Sequence, residues 1–99
     1  MAVQEGTIQK NQSWGEVVIT TPEDLSAATN LKILQQDPDG NKSELGAGSV
    51  LDTYSILVTL SDSVKFTWHG KGKIQGYGEI GGRVFYTPWI PFVVGEILE

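Results

Sequence analysis

The sequence contains no cysteine, only one histidine, and no apolar run longer than a β-strand. Without cysteine the chain can form neither disulfides nor thiolate metal sites. A lone His69 with no cysteine supplies few parts for a nucleophile–base pair. Apolar runs of strand length are too short to span a bilayer. We therefore predict a protein that is not an enzyme, with no cofactor, no metal and no membrane partner.

The first residues of the sequence predict no signal peptide. Residues 1–6, MAVQEG, have no basic region followed by an apolar segment, which is what a secretory signal would show. This start is consistent with cytoplasmic synthesis and leaves the final location open, a virion included.

Basic residues are few. Seven Lys and Arg stand against twelve Asp and Glu, giving a net charge of −5. A charge of this sign disfavours a protein whose main role is to bind phosphate groups. The imbalance lies in residues 1–62, which hold nine acids and three bases, whereas residues 63–99 hold three acids and four bases. An anionic partner therefore stays open as a minor hypothesis for the second part of the chain.

What the sequence does contain is a series of short apolar and β-branched segments. They predict strands at 16–20, 31–36, 53–60, 64–68, 73–80, 83–87 and 92–98. The links Ser61-Asp62-Ser63 and Gly81-Gly82 have the length and composition of hairpin turns, which join antiparallel strands. Residues 1–99 are thus predicted to form one mainly β domain, a small antiparallel sandwich or barrel of about seven to nine strands.

One segment interrupts the strands. In TPEDLSAATN, Thr21 is suited to cap a helix, Pro22 to its first position, and Glu23 and Asp24 to the positive end of the helix dipole. Asn30 can close the far end in a left-handed conformation. We predict one short helix over residues 22–29, which depends on tertiary packing because of its length.

The string GYGEIG, residues 76–81, fits the G-x-G-x-x-G spacing of a dinucleotide-binding loop. That loop needs a helix to open inside it, but the residues that follow, RVFYTPWIPF, are β-branched, aromatic and interrupted by proline. An RNA-binding strand would need a basic residue before Gly76 and an aromatic one after Gly78, and these positions hold Gln75 and Glu79. The glycines are better explained by a bulge, a tight bend or close strand packing.

The string DPDGNKSE, residues 37–44, resembles half of a calcium-binding loop. An EF-hand would require glycine at the sixth position and glutamate at the twelfth, and these are Lys42 and Gly48. Pro38 instead fixes φ for a reverse turn, and Gly40 accepts positive φ. We predict the tip of a hairpin rather than a metal site.

The segment YTPWIPF, residues 86–92, indicates an edge strand. Its two prolines cannot donate to an interior ladder. Strand alternation places Tyr86 on one face, and Phe85 and Trp89 on the other. Since one small core cannot receive all the aromatic rings of residues 66–92, some of them should be exposed at a contact surface. The candidate interface residues are Trp89, Ile90, Phe85, Tyr86 and Trp68.

These features together favour a structural or interaction protein: a homo-oligomeric subunit of a larger assembly, for example a decoration or tail component of a phage or viral virion. A second hypothesis is a carbohydrate-binding β-sandwich that uses Trp68, Tyr77, Tyr86 or Trp89 as sugar platforms. A less favoured third is a binder of single-stranded nucleic acid. In that case bases would stack on Trp68 and Tyr77, beside the basic side chains of Lys65, His69, Lys71, Lys73 and Arg83.

Overall fold

The structure, a computed structural model, describes residues 8–95, which form two antiparallel sheets. In chain order the strands are β1 (Glu16–Thr20), β2 (Ala28–Gln36), β3 (Lys42–Ala47), β4 (Ser49–Asp52), β5 (Ser55–Thr59), β6 (Gly70–Ile80), β7 (Arg83–Tyr86) and β8 (Ile90–Val94). The smaller sheet has the order β1-β5-β4. In the larger sheet, of order β3-β2-β6-β7, strand β8 also pairs with β6.

The two sheets enclose one hydrophobic core, as a sandwich does. The inward-facing residues of β1, β2 and β5 are buried, among them Ile19 on β1, Ile56 on β5 and Ile33 on β2. All three belong to the same buried cluster, which joins the inner faces of both sheets. The sequence had left sandwich and barrel open, and the structure selects the sandwich because the two sheets stay separate.

Glycines give β6 its close fit to its neighbours. Gly72, Gly76 and Gly78 are buried on the inner side of the strand. A Cβ at Gly78 would lie 2.6 Å from both Leu31 Cδ2 and Phe85 Cε2. Two residues of the GYGEIG motif therefore serve packing, and its last glycine belongs to the Gly81-Gly82 turn between β6 and β7, where φ is +59° and +81°.

The helix predicted over residues 22–29 is reduced to a single 3-10 turn, Leu25–Ala27. Its N-cap is Asp24, whose carboxylate accepts the backbone N–H of Ser26 at 2.9 Å, rather than the predicted Thr21. The chain is already extended at Ala28, where β2 begins and pairs with the end of β6. Asn30 does adopt the left-handed conformation, with φ of +54°, but inside the irregular part of β2.

Residues 64–68 do not form the predicted strand. Their alternation is real, since Phe66 is fully buried while Val64 and Trp68 pack against the core. However, both edges of β6 are already occupied, by β2 on one side and by β7 and β8 on the other. The segment therefore crosses the end of the core, where the Phe66 carbonyl accepts the N–H of Asn11 at 2.7 Å.

The other predicted strands are present with shifted ends. β1 has the predicted bounds, whereas β2 starts three residues earlier than predicted and β6 also starts three residues earlier. β8 begins before residue 92, and the predicted continuation to residues 96–98 lies outside the described residues. Among the residues that the structure describes, no helix is long and apolar enough to cross a membrane.

The predicted hairpin tip joins β2 to β3, and Asp37 organises it. Its carboxylate accepts backbone N–H groups of Asp39 at 3.0 Å and of Asn41 at 2.9 Å. The Gly40 N–H donates to the Asp37 carbonyl at 2.9 Å and closes the turn. The bond from Asn41 is the main reason why the pKa of Asp37 lies below its ordinary value.

Replacing Asp37 by Asn should therefore reduce the pH dependence of stability. A lowered carboxyl pKa stabilises the fold above the unfolded-state value, and this contribution is lost as the pH falls below about 4. In urea denaturation, the difference in unfolding free energy between wild type and Asp37→Asn should shrink from pH 6 to pH 2.5. An equal difference at both pH values would show that ionised Asp37 does not hold the turn.

Candidate functional site

The outward side of the larger sheet carries a row of aromatic side chains, which we call the aromatic face: Tyr77 on β6, Tyr86 on β7 and Trp89 between β7 and β8. Tyr77 and Tyr86 are directly paired across the strands, and their rings meet edge to face with centroids 5.3 Å apart. Tyr86 has 58% of its surface exposed. Exposed rings on a sheet surface are available for contact with another molecule.

A β-bulge positions Trp89 on this face. Tyr86 pairs with Tyr77, but Ile90 pairs with Ile74, so two residues of β6 oppose three residues of the edge strand. Residues 87–89 hold the extra one, and a bulge of this kind redirects the side chains that follow it. The prediction that Trp89 shares the face of Phe85 is therefore wrong, since the bulge places it beside Tyr86.

Buried Thr87 fixes the bulge. Its hydroxyl accepts the Gly76 N–H at 2.8 Å and donates to the Pro88 carbonyl at 3.0 Å. Its carbonyl accepts the side-chain amide of Gln75 at 2.8 Å. Pro91 thus lies on strand β8 at the sheet edge, as the sequence predicted, and Pro88 lies in the bulge before it.

Two lysines from β2 and β3 complete the aromatic face. Lys32 Nζ lies 4.8 Å from the centre of the Tyr77 ring, and 3.5 Å from the Glu44 carboxylate. Lys42 Nζ lies 5.5 Å from the centre of the Trp89 ring. These cation–π contacts hold the rings without covering the whole face.

The Tyr77 hydroxyl donates to the Glu79 carboxylate at 3.1 Å. This bond favours the neutral phenol and raises the pKa of Tyr77. Tyr77 is therefore a neutral ring at physiological pH, suited to contact rather than to proton transfer.

A shallow depression of about 620 Å³ opens beside Trp89. Its apolar walls are Leu34, Tyr86 and Trp89, and its polar rim includes Gln75, Lys42 and Glu44. The depression combines apolar and hydrogen-bonding groups, as binding sites commonly do. Its β2 and β3 residues have no local signal in the sequence, because pairing over long sequence distances brings them together.

The five candidate interface residues fall into two groups. Tyr86 and Trp89 lie on the aromatic face, whereas Phe85, Ile90 and Trp68 pack against the core. Trp68 donates its indole N–H to the Gln35 side chain at 2.8 Å, and its ring meets Phe66 edge to face at 5.4 Å. Trp68 and Tyr77, paired as stacking platforms in the nucleic-acid hypothesis, therefore occupy opposite sides of the sheet.

Within residues 8–95, no group of three or more His, Asp or Glu side chains is placed to hold a metal ion. His69 is exposed in the loop before β6. No family model, curated protein or solved structure matches this chain significantly.

Replacing Thr87 by Val should destabilise the bulge while preserving side-chain volume. The buried Gly76 N–H would lose its hydroxyl acceptor, at a cost of about 1–3 kcal/mol in unfolding free energy. Thermal denaturation and hydrogen exchange at the Gly76 amide measure this effect. Thr59→Val, an exposed strand position, is the matched control; equal stability of the two variants would contradict the role of the hydroxyl.

Proposed function

We propose that the protein is a non-enzymatic structural subunit that associates with copies of itself through the aromatic face, as part of a larger assembly such as a phage or viral virion. The observation that supports this most is the exposure of apolar side chains along the β7–β8 edge. Val84, Tyr86 and Val93 each have at least half of their surface exposed. An exposed patch next to Trp89 fits a contact surface between proteins.

The composition of the face supports the same role. Tyr and Trp are enriched at the energetically dominant positions of interfaces, because they bury large areas at low cost in conformational entropy. Here Trp89 is held by the bulge and by Lys42, so its side chain would lose little conformational entropy on association.

Sedimentation velocity of the wild type and of Tyr86→Ala tests the proposal. We expect the wild type to associate as its concentration rises, and Tyr86→Ala to weaken that association about tenfold or more. Asp39→Ala, at the exposed hairpin tip, controls for unspecific effects of substitution. Equal association of Tyr86→Ala and wild type would remove Tyr86 from the contact, and a monomeric wild type would contradict the proposed function.

Carbohydrate binding is the second candidate, and the depression beside Trp89 favours it. The ring of Trp89 and the hydrogen-bonding rim of Gln75 and Glu44 are chemically suited to a sugar. The planes of the Tyr77 and Tyr86 rings are inclined by 70°, so these two rings do not form a coplanar platform for a sugar. Tryptophan fluorescence during titration with neutral glucose and N-acetylglucosamine oligosaccharides tests this candidate; saturable quenching that Trp89→Ala abolishes would support it.

A further inference from the structure

Exposed apolar side chains also lie on and around the smaller sheet, on the opposite side of the sandwich. Five large hydrophobic residues on or next to the smaller sheet are exposed: Trp14, Val18, Val50, Leu51 and Tyr54. Val18 points outward from β1, between the exposed Glu16 and Thr20. We call this side, defined by Glu16, Val18, Thr20 and Asp52, the acidic face. A contact through the aromatic face alone gives the acidic face no partner.

The two faces differ in charge. Strands β1, β4 and β5 contain Glu16 and Asp52 but no Lys or Arg, a net charge of −2. The strands of the larger sheet contain five of the seven basic residues, Lys32, Lys42, Lys71, Lys73 and Arg83, and two acids, Glu44 and Glu79, a net charge of +3. An acidic protein thus concentrates its positive charge on one of its two sheets.

Lys71 and Lys73 place part of this charge on the aromatic face itself. Both are exposed and alternate with the buried Gly72 and Ile74, so they point away from the core. Two aromatic faces brought together would therefore repel each other through the net positive charge of their sheets. An aromatic face against an acidic face would bring together opposite charges and would cover the exposed side chain of Val18.

We infer that the acidic face of one copy binds the aromatic face of the next, so that copies stack head to tail. This inference rests on the proposed function and names the partner of the aromatic face. Because the two surfaces lie on opposite sides of the sandwich, each copy can bind one neighbour through its aromatic face and another through its acidic face. Contacts of this heterologous type generate rings when they close and filaments when they do not.

Blocking each face separately tests whether the acidic face of one copy binds the aromatic face of another. Val18→Lys/Thr20→Lys places two positive charges on the acidic face and leaves the aromatic face intact. Head-to-tail stacking predicts that this variant and Tyr86→Ala each lose association about tenfold or more. A 1:1 mixture should form a heterodimer, since the intact acidic face of Tyr86→Ala can bind the intact aromatic face of the other variant. Asp39→Lys, which also changes the net charge by +2, should associate like the wild type.

Association of Val18→Lys/Thr20→Lys at wild-type strength would overturn the head-to-tail inference and leave a symmetric contact between aromatic faces, which keeps the proposed function. A wild type that is monomeric would overturn both. The salt dependence of wild-type association, measured by sedimentation, is an independent test of the head-to-tail contact. Raising sodium chloride from 50 to 500 mM should weaken a contact between opposite charges, because salt screens attraction. Tighter association at high salt would count against it.

Discussion

Phe66→Ala should lower the unfolding free energy by about 3–5 kcal/mol, the usual cost of emptying a buried phenylalanine site. Phe66 has no exposed surface, and its ring contacts Trp68 edge to face and stacks on Phe92 at a centroid distance of 5.2 Å. Truncation would leave a cavity at the end of the core, where the surrounding segment lacks a strand ladder to hold it.

Urea denaturation with a matched control measures this loss. Tyr54→Ala removes another ring, but from a half-exposed position, and should cost about 1 kcal/mol or less. If Phe66→Ala were no more destabilising than Tyr54→Ala, Phe66 would not anchor the crossing segment.

The second large effect is expected from Gly72→Ala on β6. A Cβ at this position would lie 2.4 Å from the Gln36 carbonyl oxygen and 2.5 Å from Trp68 Cη2. The carbonyl belongs to the paired strand β2, so the backbone itself would have to shift. Overpacking of this kind costs about 1–3 kcal/mol or more, and contact with backbone places Gly72 in the upper part of that range.

Lys73→Ala is the control for Gly72→Ala, because it changes the adjacent exposed residue of the same strand and should remain within about 0.5 kcal/mol of wild type. Thermal denaturation should show a clearly lower midpoint for Gly72→Ala alone. A midpoint equal to that of Lys73→Ala would mean that β2 and β6 are not packed as closely as described.

Six of the eight strands in the described residues could be predicted because alternation and turn residues act locally. Strands β3 and β4 were not predicted, since their residues do not alternate between buried and exposed. Gly81-Gly82 and the DPDG segment specify their hairpins with residues that adopt the required φ angles. The sandwich itself followed from the need of each sheet to bury one face.

The errors arise where tertiary contacts override a local signal. Pairing of Ala28 and Thr29 with the end of β6 satisfies backbone groups that a longer helix would have used. Phe66 alternates like a strand residue, but both edges of β6 are already paired with other strands. Trp89 changes face because of one extra residue at 87–89, and a bulge cannot be counted until the partner strand is known.

Only part of the candidate site could be predicted from the sequence. The aromatic content of residues 66–92 predicted a contact surface, and Tyr86 and Trp89 lie on the aromatic face. Lys32, Lys42 and Glu44 lie beside them, on strands more than 40 residues earlier in the chain. This proximity depends on the order of the strands in the sheet, which periodicity does not reveal. The charge difference between the two sheets became visible only once each strand was assigned to its sheet.

We proposed that the aromatic face is a contact surface between copies of this chain. Two-dimensional NMR of the labelled protein over a dilution series tests it most directly, because each amide and indole N–H reports its own surroundings. We expect concentration-dependent shifts at Tyr86 and at the Trp89 indole, and little change at the Asp39 hairpin tip. Spectra that do not change with concentration at Tyr86 and Trp89 would contradict it.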